Sequence, residues 1–176
     1  HAEYYFEDGN IIFLVENDLF RVHRHFFVRE SVVFRDMLSI PSGSKTATEG
    51  LSDDKPILLQ NVKSIDFERM MWMFYNKRCC RSYTDHTASG EKWSSIISLA
   101  HMWQFETMSY VAFKAYLALP DVGPVDKIAM RQKYDFPREV LLKVFVEICT
   151  RDAPLSVEEG QKIGLETLAL IAQTRD

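Results

Sequence analysis

The sequence predicts an α+β fold in which a small group of strands at the front packs on helices that follow. Three observations carry this. Short, β-prone apolar runs cluster near the start, at Asn10–Val15, Leu19–His23 and Ile57–Leu59. Beyond Ser64 the apolar residues recur mainly at helical spacing. Strands and helices do not alternate regularly, which separates an α+β chain from an α/β one.

The elements follow in order. Asp8-Gly9 reads as a turn before the run NIIFLV, and Asn17-Asp18 suits a tight hairpin into the second strand, where Phe20 and Val22 share a face. Ser31 is a good N-cap for a helix whose stripe is Val33, Phe34 and Met37. Pro41 to Lys55 is polar and reads as a surface loop. Pro56 then leads into a third short strand, Ile57–Leu59. Ser64 caps a helix lined by Phe67, Met70, Met71, Phe74 and Tyr75 at i, i+3, i+4, i+7, i+8. Asn76 to Gly90 is polar and irregular, with room for a short strand around Cys80 to Tyr83.

Two further helices follow, one lined by Trp93, Ile96, Ile97, Ala100 and Trp103, the other by Phe105, Met108, Ala112, Ala115 and Tyr116. Pro120 and Gly123-Pro124 mark a boundary, dividing the chain into a domain over 8–118 and an all-helical extension over 119–176. In the extension, Val125, Ile128 and Ala129 form a short stripe. Asp135 before Pro137 reads as a cap with an early-turn proline, ahead of a helix lined by Leu141, Val144, Phe145 and Ile148. Ser156-x-x-Glu159 is a capping box that opens the last helix.

Composition bounds the function. The chain has 176 residues, 47% hydrophobic and 26% charged, with a net charge of −4. No basic excess is present to collect phosphates, so nucleic-acid binding is not expected. No apolar run approaches the ~20 residues of a membrane helix. The cysteines are Cys79, Cys80 and Cys149, an odd set that is not a disulfide framework. The expected setting is intracellular, in cytoplasm or nucleus.

Chemistry-bearing motifs are sparse. His23-x-His25 would place two imidazoles on one face of an extended chain, and a metal-dependent enzyme built on this pair is one option. A zinc centre needs three or four protein ligands, and His86, His101 and the cysteines stand at no ligand spacing. The other reading is a half-buried His23 and a solvent-facing His25. Lys77, Arg78 and Arg81 could lower a thiol pKa at Cys79-Cys80, or the two thiols could simply pack. No nucleophile elbow, phosphate loop or dinucleotide fingerprint occurs, and Ser42-Gly43-Ser44 reads as loop. Asp53-Asp54 and Glu158-Glu159 fit a solvated loop and a helix start. Neither catalysis nor a cofactor is expected. The aromatics Tyr4, Tyr5, Phe6, Phe26 and Phe27 crowd the hairpin, either as core or as a subunit interface.

Asn10 to Leu38, NIIFLVENDLFRVHRHFFVRESVVFRDML, resembles the signature of the BTB/POZ domain. The matching positions are Phe20, His23, Arg24, Phe27, Ser31, Phe34, Met37 and Leu38, continued by ILLQNV, the Phe67–Tyr75 helix, and Ala100, Trp103 and Phe105. The variant YYFEDGNIIFLVENDLFRVHR and the stretch Pro154–Gly160 are similar to a large BTB group of mushroom-forming (basidiomycete) fungi.

The resemblance implies a non-catalytic BTB/POZ fold that forms a homodimer and docks other proteins as adaptor or scaffold, the cullin scaffold of ubiquitin ligases among them. The alternative is a self-association module of a transcriptional or other regulator that binds no cullin. Two departures bear on this. The charged pocket of many BTB dimers keeps its basic side in Arg24, but Asn10 stands where the acid is usual. The apolar-x-Glu motif of cullin adaptors is met only by Leu51-Ser52-Asp53. A third departure is Asn76-Lys77 where the family turns through Thr-Gly.

Overall fold

The computed structural model describes residues 1–39, 49–75 and 88–175. The expected strand near Cys80–Tyr83, the Ser42–Ser44 loop, and Cys79, Cys80 and His86 lie outside these residues. Two compact units divide between Phe113 and Lys114, His1–Phe113 and Lys114–Asp176.

The first unit begins with a hairpin. β1 (Ile11–Val15) pairs antiparallel with β2 (Asp18–Val22), Ile11 facing Val22 and Val15 facing Asp18. This register makes Glu16-Asn17 the turn, one residue earlier than the expected Asn17-Asp18. Glu16 has a left-handed φ of 54°, as tight hairpin loops require of their first residue. The shift has a physical cause. The Glu16 carboxylate accepts the Ser64 N–H at 2.8 Å, and Asp18 accepts the Ser64 hydroxyl proton. Ser64 is therefore the first residue of α3 (Ser64–Tyr75) rather than its cap, and the Lys63 carbonyl accepts from Asp66 and Phe67.

β3 (Ile57–Leu58) lies parallel to β1, giving the order β2-β1-β3. It is one residue shorter than expected, although the Leu59 N–H still reaches the Leu14 carbonyl at 3.0 Å. Between β2 and β3 lie α1 (Arg24–Glu30) and α2 (Val32–Ser39). β2 ends at Val22, so His23 is the N-cap of α1 instead of a strand residue. The α2 stripe is narrower than expected: Phe34 alone is buried, and Met37 is exposed.

α4 (Gly90–Met102) starts at Ser89, whose hydroxyl accepts the Lys92 N–H at 3.2 Å, and α5 (Glu106–Leu117) follows. The stripes expected for these two helices are buried in full. The core they close is aromatic. Phe13 lies 5.0 Å from Phe27 and 5.7 Å from Phe67 between ring centres, and Phe27 lies 4.9 Å from Phe34. Tilted and edge-on rings at these separations pack favourably beyond their buried area.

The second unit is helical. Gly123 and Pro124 open α6 (Pro124–Lys133). Asp135 is not a cap: it takes a left-handed φ of 49° just past α6 and pairs with Arg131 at 3.3 Å. Pro137 instead precedes a 3-10 turn, Arg138–Leu141, that feeds α7 (Leu142–Thr150). The Ser156/Glu159 capping box is formed, and it opens α8 (Val157–Ile163). The chain then breaks at Gly164, whose φ of 80° suits glycine, and resumes as α9 (Leu165–Arg175). The sequence predicts a single last helix here, and the structure has two. Among the described residues no helix is long and apolar enough to cross a membrane.

Candidate interaction surface

The signature segment builds a helical hairpin whose two helices cap each other. Ser31 sits between them, fully buried. Its Oγ accepts the Phe34 N–H at 3.1 Å, as expected of an N-cap, and donates to the Trp103 carbonyl at 2.6 Å. Arg24, at the start of α1, donates to the Leu38 carbonyl near the end of α2 at 3.0 Å. Arg35, on α2, donates to the carbonyls of Val28 and Arg29 at 3.1 and 3.2 Å, in the last turn of α1. Each guanidinium meets the negative end of the other helix, satisfying carbonyls that lack intrahelical partners.

Asn10 and Arg24 do come together, but through the backbone. Asn10 Oδ1 accepts the Arg24 N–H at 2.8 Å and so caps α1. The guanidinium that the resemblance assigns to a charged pocket is turned to the α2 carbonyl.

His23 is held from both sides. Its Nε2 lies 3.2 Å from an Asp8 carboxylate oxygen, and its Nδ1 lies 2.9 Å from the Tyr75 hydroxyl oxygen, which also accepts the His23 N–H at 3.0 Å. The His23 contact holds the Asp8 carboxyl below the usual carboxylate range. Burial pushes the Tyr75 hydroxyl up to about 12, so it stays protonated at neutral pH. Asp8 and Tyr75 were not singled out from the sequence. Tyr75 looked like the last residue of an apolar stripe, and its hydroxyl partner is 52 residues away.

His25 is exposed, its ring centre 6.1 Å from that of His23. Among the described residues no three or more His, Cys, Asp or Glu side chains converge as a metal site would require. The second His23 nitrogen already serves Tyr75, so the pair does not form a two-imidazole grip.

The five front aromatics separate by burial. Phe27 is fully buried at the centre of the core, and Tyr4 is buried as well. Phe6 and Phe26 are half-buried around His23 and Tyr75, with Phe26 stacked on Phe74 at 5.3 Å. Tyr5 is exposed, and its hydroxyl donates to Asp53 at 2.7 Å. Leu51, two residues earlier, is 66% exposed. The α1–α2 hairpin leaves Val32 and Met37 exposed, at 48% and 38%. Val32 went unnoticed in the sequence, because a valine beside a cap reads as helix start rather than surface.

A family model described as the BTB/POZ domain matches residues 5–115. No curated protein matches the chain. The matched span holds the hairpin, the mutually capped helices, β3 and the aromatic core, and it covers well over half of the sequence: the chain belongs to the BTB/POZ domain family.

Proposed function

We propose that the protein is a homodimeric adaptor or scaffold that associates through the α1–α2 hairpin. BTB domains mediate protein–protein interaction and self-association. The observation that carries the reading is that α2 buries only Phe34 and leaves Val32 and Met37 open on a rigidly capped hairpin. The half-buried Phe26 adds aromatic surface from α1, whereas Tyr4 and Phe27 serve the protomer's own core. Residues 8–118 are taken as the interaction domain and 119–176 as an extension that adds docking surface. The likeness at Tyr4–Arg24 and Pro154–Gly160 supports a place among the basidiomycete BTB proteins.

Sedimentation equilibrium tests this. The full chain is expected to sediment as a dimer that Val32→Asp with Met37→Asp converts to a monomer. Melting should be little changed, since both side chains are exposed and surface changes stay within about 0.5 kcal/mol. A wild-type monomer at high concentration rejects the reading.

Cullin docking is the finer form, with Leu51 and Asp53 as its loop. Titration with a cullin N-terminal domain decides it, and no binding at tens of micromolar rejects it. A cullin-free regulator is the second reading, and one observation favours it: the Asp53 carboxylate already accepts the single Tyr5 hydroxyl proton, its oxygens 2.8 and 2.7 Å from that hydroxyl.

A further inference from the structure

The α1–α2 hairpin divides its charge about Val32. A helix turns ~100° per residue, which sets Asp36 ~40° to one side of Val32 and Arg35 ~60° to the other. Arg35 donates to the Val28 and Arg29 carbonyls, so α1 lies on its side. Asp36 and Met37 therefore stand on the side of Val32 that faces away from α1. His25 and Arg29, four apart on α1 and both exposed, line the opposite side.

The two sides differ in sign. Arg24 and Arg35 meet neutral carbonyls, so both keep an uncompensated positive charge beside α1. Half-buried Glu30 takes only the Nε of Arg29, at 2.7 Å. Both terminal nitrogens of that guanidinium, on a side chain 66% exposed, are left without a partner among the described residues. Across Val32, the exposed Asp36 carboxylate has no hydrogen bond or ion pair among the described residues. The hairpin thus has a net positive side and a negative one, with exposed Val32 and Met37 as its apolar part.

We propose that two reciprocal ion pairs, Arg29 of each copy with Asp36 of the other, orient the α1–α2 dimer and select a second copy of this chain over a partner lacking either charge. The proposal rests on self-association through that hairpin. A two-fold axis sets the same patch of both copies together, so that each pair occurs twice with its members exchanged. An axis at Val32 lays the positive side of one copy on the negative side of the other. Exposed ion pairs add little strength, whereas like charges brought together are costly and exclude wrong partners. The charges therefore govern orientation and partner choice, and Val32 and Met37 supply the apolar contact.

The test is a charge exchange in the full chain, read by sedimentation equilibrium in 0.05 M salt. Arg29→Glu and Asp36→Arg, each alone, should weaken self-association at least tenfold, because each sets like charges together twice. An equimolar mixture of the two single variants should return to within threefold of the wild-type dimer, and so should the chain carrying both changes. Recovery in the mixture also shows that both variants are folded. Salt gives an arm that needs no substitution: 0.5 M salt should weaken the wild-type dimer at least fivefold, since exposed pairs are screened. Single variants that dimerise like wild type, a mixture no better than its components, or a wild-type dimer indifferent to salt overturns the ion pairs. A wild-type chain that stays monomeric overturns the self-association reading itself, so the two failures are told apart.

Discussion

The two units solve the same problem, burying a small core, by different means. In the first, segments far apart in sequence are tied by specific polar contacts. Ser31 reaches the Trp103 carbonyl across 72 positions, His23 reaches Tyr75 across 52, and Ser64 reaches Glu16 across 48. The core between these ties is a lattice of phenylalanines. In the second unit the buried residues are mostly aliphatic, among them Ile128, Leu141, Val144, Ile148, Ile163 and Ile171. This unit too has polar ties across the sequence, but over shorter separations: Gln132 donates to the Ile163 carbonyl and the Thr167 hydroxyl, both at 2.9 Å, Lys162 pairs with Asp126, and Arg175 donates to the Ile148 and Arg151 carbonyls. The difference matters for surface shape. A buried polar tie such as that of Ser31 accepts one partner and one geometry, so it fixes where α1 and α2 present their apolar residues. The second unit ties its helices by contacts that are mostly half-buried or exposed, around an aliphatic core, and leaves Leu165 83% exposed.

The comparison breaks most sharply at Phe27. Phe27→Ala removes a fully buried ring that touches Phe13, Phe34, Phe67, Phe74 and Phe105, and large-to-small aromatic changes of this kind cost about 3–5 kcal/mol. Leu165→Ala in α9 should stay within about 0.5 kcal/mol. Urea unfolding of both variants measures the contrast, and a loss below about 1 kcal/mol at Phe27 would mean the aromatic lattice does not hold the first unit.

A smaller effect is expected at the polar ties. His23→Ala removes the ring contacts to Tyr75 and Asp8 and leaves the Tyr75 hydroxyl only the backbone N–H of position 23, and a polar group that loses partners costs about 1–3 kcal/mol. His25→Ala, on an exposed side chain, should be near neutral. Tyr75→Phe should resemble His23→Ala, and the double variant should fall short of their sum, because the two share one contact. Additive losses, or equal and negligible melting shifts for His23→Ala and His25→Ala, would contradict a structural role for His23.

This ordering also explains what the sequence revealed. Element types were legible wherever a stripe ran for several turns, as in α3, α4 and α5, because periodicity reports burial directly. Boundaries set by distant partners were not. The hairpin turn moved by one residue because Glu16 and Asp18 both serve Ser64, and nothing in the local run announces that. α2 was read as more buried than it is because Val33, Phe34 and Met37 have helical spacing, yet only Phe34 has a partner surface. α8 and α9 were merged because the glycine at 164 lies inside a continuous helical pattern, and its positive φ is a backbone property. Of the interaction candidates, the motif residues were legible from the resemblance. The reciprocal arginine caps and the division of charge about Val32 were not, since both exist only once the two helices are brought together.

The smallest predicted effect probes the local caps of the second unit. Arg151 first, then the Ser156 backbone N–H, holds the Glu159 carboxyl down to about 2. A glutamate in the unfolded chain titrates at its ordinary value near 4.5. As pH falls below that, the unfolded chain takes up a proton before the folded one does, so the contact's stabilisation is present above about 4.5 and is lost as pH falls through about 2. Both side chains are half-buried and still reached by solvent, so screening keeps the effect small. A local readout is therefore needed, because acid also weakens the Asp8–His23 contact in the first unit. Hydrogen exchange at the Gly160 amide, which donates to the Ser156 carbonyl at 2.9 Å, reports on α8 alone. Protection in wild type should exceed that in Glu159→Gln above pH 4.5, and the two should converge as pH approaches 2. In 0.5 M salt the gap should narrow at every pH. A gap that persists unchanged to pH 2 would show that the charge on Glu159 contributes nothing to the cap, and no gap above pH 4.5 would show that the side-chain amide reproduces the contact.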